Sequence, residues 1–351
     1  MTRKESPTMN DYVPHPHLHE DPLPWLLEED FDNPGIRFFA LRDLLGMELD
    51  NPELAKAQRN VMSEGPVPII LQAQHPDGYW VEPGAGYLPK YRSTVWQLIF
   101  LAQLGADGED PAIMRGGDYA LENARAKTGG FSMNGTPSGL ITCLQGNLVA
   151  ALLELGRLDD DRLNAAIDWL ARSITGEGIA PSTDRSAPIR YLRSGNSGPG
   201  FLCSANDHLP CAWGAVKAML ALSKIPESRR TDTVRRGIEV GTEFLLSTDP
   251  SLADYPMGYS EKPNRSWFKF GYPIGYVTDV LQNMETLTAL GFGGDERLLP
   301  AVDLLLDKQD ELGHWSLEYT YNGKTWVDVE KKKEPSKWVT LRALRVLSHF
   351  C

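Results

Sequence analysis

Six apolar stretches recur along the chain, each separated from the next by a more charged stretch of helical pattern. They are residues 34–46, 92–105, 138–156, 208–225, 273–291 and 335–350. Each carries apolar residues at three- and four-residue spacing, the pattern of a helix with a wide buried face. The charged stretches between them are 51–63, 111–126, 160–174, 229–247 and 296–308. Pro34, Pro273 and Pro335 stand where helices open, because the first turn loses nothing with a missing N–H. Gly46, Gly105, Gly156 and Gly291 stand where helices close on a left-handed residue. An alternation with a repeat of roughly 45 to 65 residues reads as a repeat architecture. An open array needs polar caps at both ends. Here the last helix is as apolar as the middle ones, so its faces are most readily buried if the array closes on itself. The expected fold is all-α: a single α/α toroid of about six inner, apolar helices and five to six outer, charged ones. The open superhelix is the alternative. One short non-helical piece, 314–330, reads as a hairpin around Asn322-Gly323.

Composition narrows the function classes. Lys plus Arg is 35 against 47 Asp plus Glu, a net charge of −12, which argues against a nucleic-acid partner. With 42% hydrophobic residues the chain can build a sizeable core. Its longest pure apolar runs fall far short of the roughly 20 residues a bilayer span requires. The segment 1–24 is rich in Pro and His, lacks the apolar stretch of a signal peptide and reads as a flexible tail before a toroid domain at 25–351. A cytoplasmic location is expected, with the four cysteines reduced. Nothing in the pattern fixes an oligomeric state.

Two loops share a further signature. QHPDGYW (74–80) and QDELGHW (309–315) both read Gln-x3-Gly-x-Trp, and KTGGFSMNGTPSG (127–139) carries a Gly-Gly-Phe turn. These resemble the QW repeats and the Gly-Gly-Phe loops of the terpenoid cyclase and protein prenyltransferase superfamily, squalene-hopene cyclases above all. The resemblance spans about residues 25–351 and implies a toroid whose central cavity accepts an apolar, isoprenoid-like substrate, with no nucleotide cofactor. The loops themselves read as structural: Gln caps one helix and Trp80 or Trp315 stacks on the next. The chain departs from the family in its acids. Class II cyclases protonate an alkene with Asp-x-Asp-Asp, whereas the acidic cluster here, Asp159-Asp160-Asp161, sits where it caps an outer helix. The Asp-rich magnesium box of class I cyclases is not visible either.

The cysteines carry the clearest chemical signal. Cys203-x4-His208-x2-Cys211 is compact enough for three side chains to converge on one ion, and thiolates with imidazole suit zinc. Related toroids hold zinc with Asp, Cys and His or with Cys, Cys and His, and use it to activate a thiolate. The spacing here matches neither signature, so the ligand set Cys203, His208 and Cys211 is an expectation from residue type, with Cys143 a further thiol at the same mouth of the ring. Buried cysteines acting as small hydrophobes are the alternative.

Asp279 lies in an otherwise apolar stretch, one to two turns past Pro273, where an unpaired carboxylate is costly. It is the candidate general acid or base; a structural pairing with Arg342 or Lys337 is the alternative. Tyr276 and Cys143 are placed with it as catalytic candidates. Tyr272, Trp96, Trp213, Trp338 and Arg342 are the candidate substrate-binding residues, since an aromatic wall stabilises cations and also packs any core. The functional expectation is an enzyme performing cyclisation, transfer or elimination on an apolar molecule, with zinc as the candidate cofactor. The alternative is a non-catalytic toroid that holds a lipophilic ligand.

Overall fold

A computed structural model describes residues 12–180, 185–186 and 196–351. Numbered in chain order, the inner helices are α2 (Gly35–Phe39, continued as one π-turn over Ala40–Leu44), α5 (Thr94–Gln103), α7 (Thr142–Glu154), α9 (Ala212–Ser223), α11 (Val280–Leu287) and α13 (Lys337–Leu347). The outer ones are α3 (Pro52–Ser63), α4 (Pro66–Gln72), α6 (Pro111–Asn123), α8 (Asp161–Thr175), α10 (Asp232–Leu245) and α12 (Leu299–Leu306). A short α1 (Leu23–Leu26) precedes them, and a two-residue pair, β1 (Ser197–Gly198) with β2 (Leu202–Cys203), is the strand structure among the described residues.

The inner helices pack in sequence: α5 on α7, α7 on α9, α9 on α11, α11 on α13, and α13 on α2. Two glycines record how the circle is finished between its first and second members. A Cβ on Gly35 would lie 2.3 Å from the Leu104 carbonyl oxygen, and one on Gly105 would lie 2.9 Å from the Phe38 ring. The ring is closed, and the fold is the expected all-α toroid. Burial follows the same division. Every residue of α5 from Thr94 to Ala102 and of α7 from Thr142 to Leu152 is buried, as a helix apolar all round must be. The outer helices bury one stripe each, and four of the six are capped by polar side chains: Asn51 before α3, Asp110 before α6, Asp160 before α8 and Thr231 before α10. Asp160 caps α8 by accepting from the Arg162 amide, which is the role expected of that acidic cluster.

The two Gln-x3-Gly-x-Trp loops are built alike down to single bonds. The Trp80 indole donates to the Ile70 carbonyl at 2.7 Å and that of Trp315 to the Leu305 carbonyl at 2.8 Å, ten residues back in each case. The Trp80 amide donates to Thr94 Oγ1 and the Trp315 amide to Thr340 Oγ1, so each loop is pinned to the first turns of the next inner helix. Gln74 reaches the Ala112 carbonyl on the next outer helix. Gln309 reaches the His17 carbonyl and accepts from the His19 amide instead. The N-terminal segment thus occupies the place of the next outer helix.

Of the segment read as a tail, 1–11 lies outside the described residues; within 12–24 the His17 carbonyl and the His19 amide bond Gln309, and Trp25 at the start of the domain stacks on His314 at 3.9 Å between ring centres. Two expectations need correction. The 314–330 piece is a loop rather than a hairpin. Its turn at Gly323 forms, but the Asn322 side chain accepts from the Val329 amide and donates to the Glu330 carbonyl where ladder bonds would run. Finally, α11 starts at Val280 and not at Pro273. Residues 272–277 stay out of the helix because their backbone groups are satisfied from elsewhere: Gln103 bonds both the amide and carbonyl of Ile274, Asn147 the carbonyl of Gly275, and Tyr321 the amide of Val277.

Candidate functional site

The segment 272–277 crosses the inside of the ring and divides it. On one side lies a cavity of about 360 Å³, lined mainly from the C-terminal parts of all six inner helices. Its apolar wall is Phe39, Ile99, Ala102, Ala150, Ala151 and Leu220, with Tyr272 and Ile274 contributed by the crossing segment. Tyr272 is fixed twice: its hydroxyl donates to the Gln103 carbonyl at 2.6 Å, and its ring stacks on Trp338 at 4.2 Å and 8°. Burial pushes its phenol well above the ordinary range, so it stays protonated.

Charges around this cavity alternate. Arg345 pairs with Asp43, Arg42 bridges Asp43 and Glu154 at 2.6 and 2.7 Å, and Lys224 pairs with Glu154. Although burial alone would raise Glu154, Lys224 and Arg42 hold its carboxyl down at about 2. Asp43 is lowered too: burial opposes the shift, and Arg345 and Arg42 outweigh it. On the far wall Arg342 is held by two acids. It meets both Asp279 oxygens at 3.2 and 3.1 Å and Glu285 at 2.7 Å. Asp279 is 2% exposed, caps α11 through the Gln282 amide at 2.7 Å and accepts from the Gly271 amide at 3.1 Å. Burial by itself would lower the Arg342 guanidinium, but Asp279 and Glu285 raise it, so it remains charged.

On the other side of the crossing segment lies a second group. Tyr276 and Tyr87 share a hydroxyl–hydroxyl bond, and Trp96 packs on both rings while its indole donates to the Tyr87 carbonyl. Lys217, fully buried in α9, donates to Thr278 Oγ1 and to the Trp213 carbonyl, and burial lowers its ammonium. Beside it stand the thiols of Cys143, Cys203 and Cys211, whose titrations are linked: the neighbouring Cys143 and Cys203 thiols lower that of Cys211, while Cys211, together with burial, raises Cys143 and Cys203.

The expected site residues therefore fall into two places. Tyr272 and Arg342 line the cavity, Asp279 stands behind Arg342, and Trp338 backs Tyr272. Tyr276, Trp96, Trp213 and Cys143 belong to the opposite end. Asp279 is the first residue before its helix, not one to two turns inside it, because the helix begins seven residues later than Pro273 implies. The expected zinc set does not assemble. Among the described residues no three His, Cys, Asp or Glu side chains are arranged to hold a metal ion. Cys211 instead gathers Cys143 and Cys203, while exposed His208 lies in a turn where it and Asp207 are left-handed. Sequence reasoning missed Lys217, Gln103 and the Arg42–Glu154–Lys224 chain. A lone Lys in AWGAVKAML was a legible signal; the ion-pair chain joins three helices and left none.

No protein-family model and no curated protein matches the chain. Among solved structures it is similar to the type II terpene cyclase MstE from Scytonema in complex with geranylgeranyl dihydroxybenzoate, at 14% identity and TM-score 0.32, covering 81% of this chain and 94% of that one. It is likewise similar to that cyclase in complex with merosterolic acid A, at 14% identity and TM-score 0.33, over 81% of this chain and 94% of that one. A protein from Actinoplanes is similar at 13% identity and TM-score 0.31, over 84% of this chain and 98% of that one. The ring closure stands on this chain's own helix contacts. No helix among the described residues is long and apolar enough to cross a membrane.

Proposed function

We propose that this protein takes an apolar, isoprenoid-like molecule into the cavity at the C-terminal ends of its inner helices and carries out terpene-cyclase-like chemistry on it. One observation carries this reading: all six inner helices of a closed ring converge on an apolar cavity of about 360 Å³ rimmed by charge. That size lies within the range of small-molecule sites, roughly 300–1,000 Å³. The wall supplies no hydrogen-bonding groups along Phe39, Ile99, Ala150, Ala151 and Leu220, so a hydrocarbon chain is the occupant that loses least on entry. Tyr272, a protonated phenol on a fixed ring, is the residue placed to orient the occupant and to face positive charge developing on it.

A second reading is favoured by a separate observation. Asp43, Glu154, Asp279 and Glu285 are each paired with a guanidinium or ammonium group. A carboxylate held in that way is a poor proton donor, which suits a non-catalytic carrier of a lipophilic ligand. The two readings separate on incubation with farnesol, geranylgeraniol and squalene, followed by native mass spectrometry and by gas chromatography of the extract. Retention of one molecule per chain with a rearranged product supports the enzyme. Retention with the probe recovered unchanged supports the carrier. Failure to retain any of the three refutes both.

A further inference from the structure

The thiol group at the opposite end of the ring is independent of the cavity. Cys203 and Cys211 lie on a short antiparallel pair: Leu202 bridges Pro210, the Cys203 amide donates to the Leu209 carbonyl at 3.2 Å, and the Cys211 amide donates to the Phe201 carbonyl at 2.8 Å. That register places Cys203 and Cys211 as diagonal neighbours on one face, within side-chain reach. Both are partly exposed, so a small solute reaches them, whereas Cys143 is 7% exposed and anchored in α7. The close approach of α7 to α9 fixes Cys143 further, since a Cβ on Gly146 would lie 2.3 Å from the Lys217 carbonyl carbon. All four cysteines are free thiols. Cys211 is the N-cap residue of α9, and buried Lys217 lies about one and a half turns further along the same helix. A helix start and a nearby ammonium both favour a thiolate, the nucleophilic form.

We propose that Cys211 is a site of two-electron oxidation by hydroperoxides and that it closes to a disulfide with Cys203. The Cys211 thiolate attacks one oxygen of hydrogen peroxide. An S–O bond forms, the O–O bond breaks, and the leaving hydroxide takes up a proton as water. The Cys203 sulfur then displaces the hydroxyl from Cys211: an S–S bond forms, the S–O bond breaks, and the hydroxyl departs with the Cys203 proton as a second water. Two thiols lose two electrons and two protons, and one peroxide is reduced to two waters. Cys203 is the resolving partner because it sits on a loop with Cys211, while Cys143 is locked between two inner helices.

The test uses the full chain and stoichiometric hydrogen peroxide, read by intact mass and by a non-reducing digest. Cleavage before Asp207 separates Cys203 from Cys211, so their disulfide appears as two linked peptides. The expected result is loss of two hydrogens with that link. In Cys203→Ser, dimedone should label Cys211, and in Cys143→Ser the link should still form. A link from Cys211 to Cys143, or oxidation at exposed Cys351 with Cys211 untouched, would overturn the assignment. The digest of the unmodified chain decides the question even if a variant misfolds.

Discussion

Replacing Asp279 by Asn separates a structural carboxylate from a chemical one. Four donors converge on its two oxygens: the amides of Gly271 and Gln282 and two nitrogens of Arg342. Asparagine keeps one oxygen, which can go on capping α11 from the Gln282 amide, so the roughly 1 kcal/mol cost of a lost cap is avoided. Its NH2 group then faces the Gly271 amide or Arg342, donor against donor. Arg342, 2% exposed, would retain Glu285 as its remaining counter-charge. Breaking a buried pair by removing one partner costs about 3–5 kcal/mol, and the surviving Glu285 contact places this case near the lower figure. Chemical denaturation should therefore show a loss of about 3 kcal/mol. Adding Arg342→Met to Asp279→Asn should recover part of it, because the uncompensated charge is then gone. Retention of farnesol or geranylgeraniol should be little changed. An Asn variant within about 1 kcal/mol of the parent, against that 3–5 kcal/mol expectation, would refute the structural account. Should turnover meanwhile drop on the order of 10²-fold, Asp279 would return as a general acid or base.

Three other outcomes are expected. Thr94→Val and Thr340→Val should each cost about 1 kcal/mol by thermal unfolding, since each removes the acceptor for a buried tryptophan amide in an equivalent loop; very different costs would contradict the equivalence. Glu154 has its carboxyl lowered from 4.5 to about 2, so its contribution is fully present above pH 4.5 and is lost as pH falls through 2. Its upper bound is about 3 kcal/mol, and Glu154→Gln should flatten the stability–pH curve in that window. Ala150→Phe fills the cavity from α7; retention of the isoprenoid probes should fall at least tenfold while circular dichroism stays helical, and undiminished retention would place the ligand elsewhere.

How much of this was legible beforehand differs sharply between backbone and site. Periodicity located every inner helix, because a helix buried on all sides must be apolar on all sides and such stretches stand out. The left-handed glycines 46, 105, 156 and 291 closed helices as expected, since few other residues adopt that conformation cheaply. The start of α11 was misread because a proline opens helices only when the following amides bond along the chain. Here Gln103, Asn147 and Tyr321, all distant in sequence, satisfy the segment first.

By itself, then, the sequence located the six inner helices in order, five of the six outer ones and the two matching tryptophan loops, and favoured a closed ring over an open array. These follow from local periodicity and turn chemistry, which act over a few residues. Only the tertiary structure decided that the crossing segment splits the interior, that Asp279 meets Arg342, and that Cys143 joins Cys211 while His208 does not join it in a metal-holding group. Those facts depend on which side chains from different helices share a low-dielectric space, where pairing energies decide. No spacing along the chain encodes that meeting; it comes from the closure of the ring.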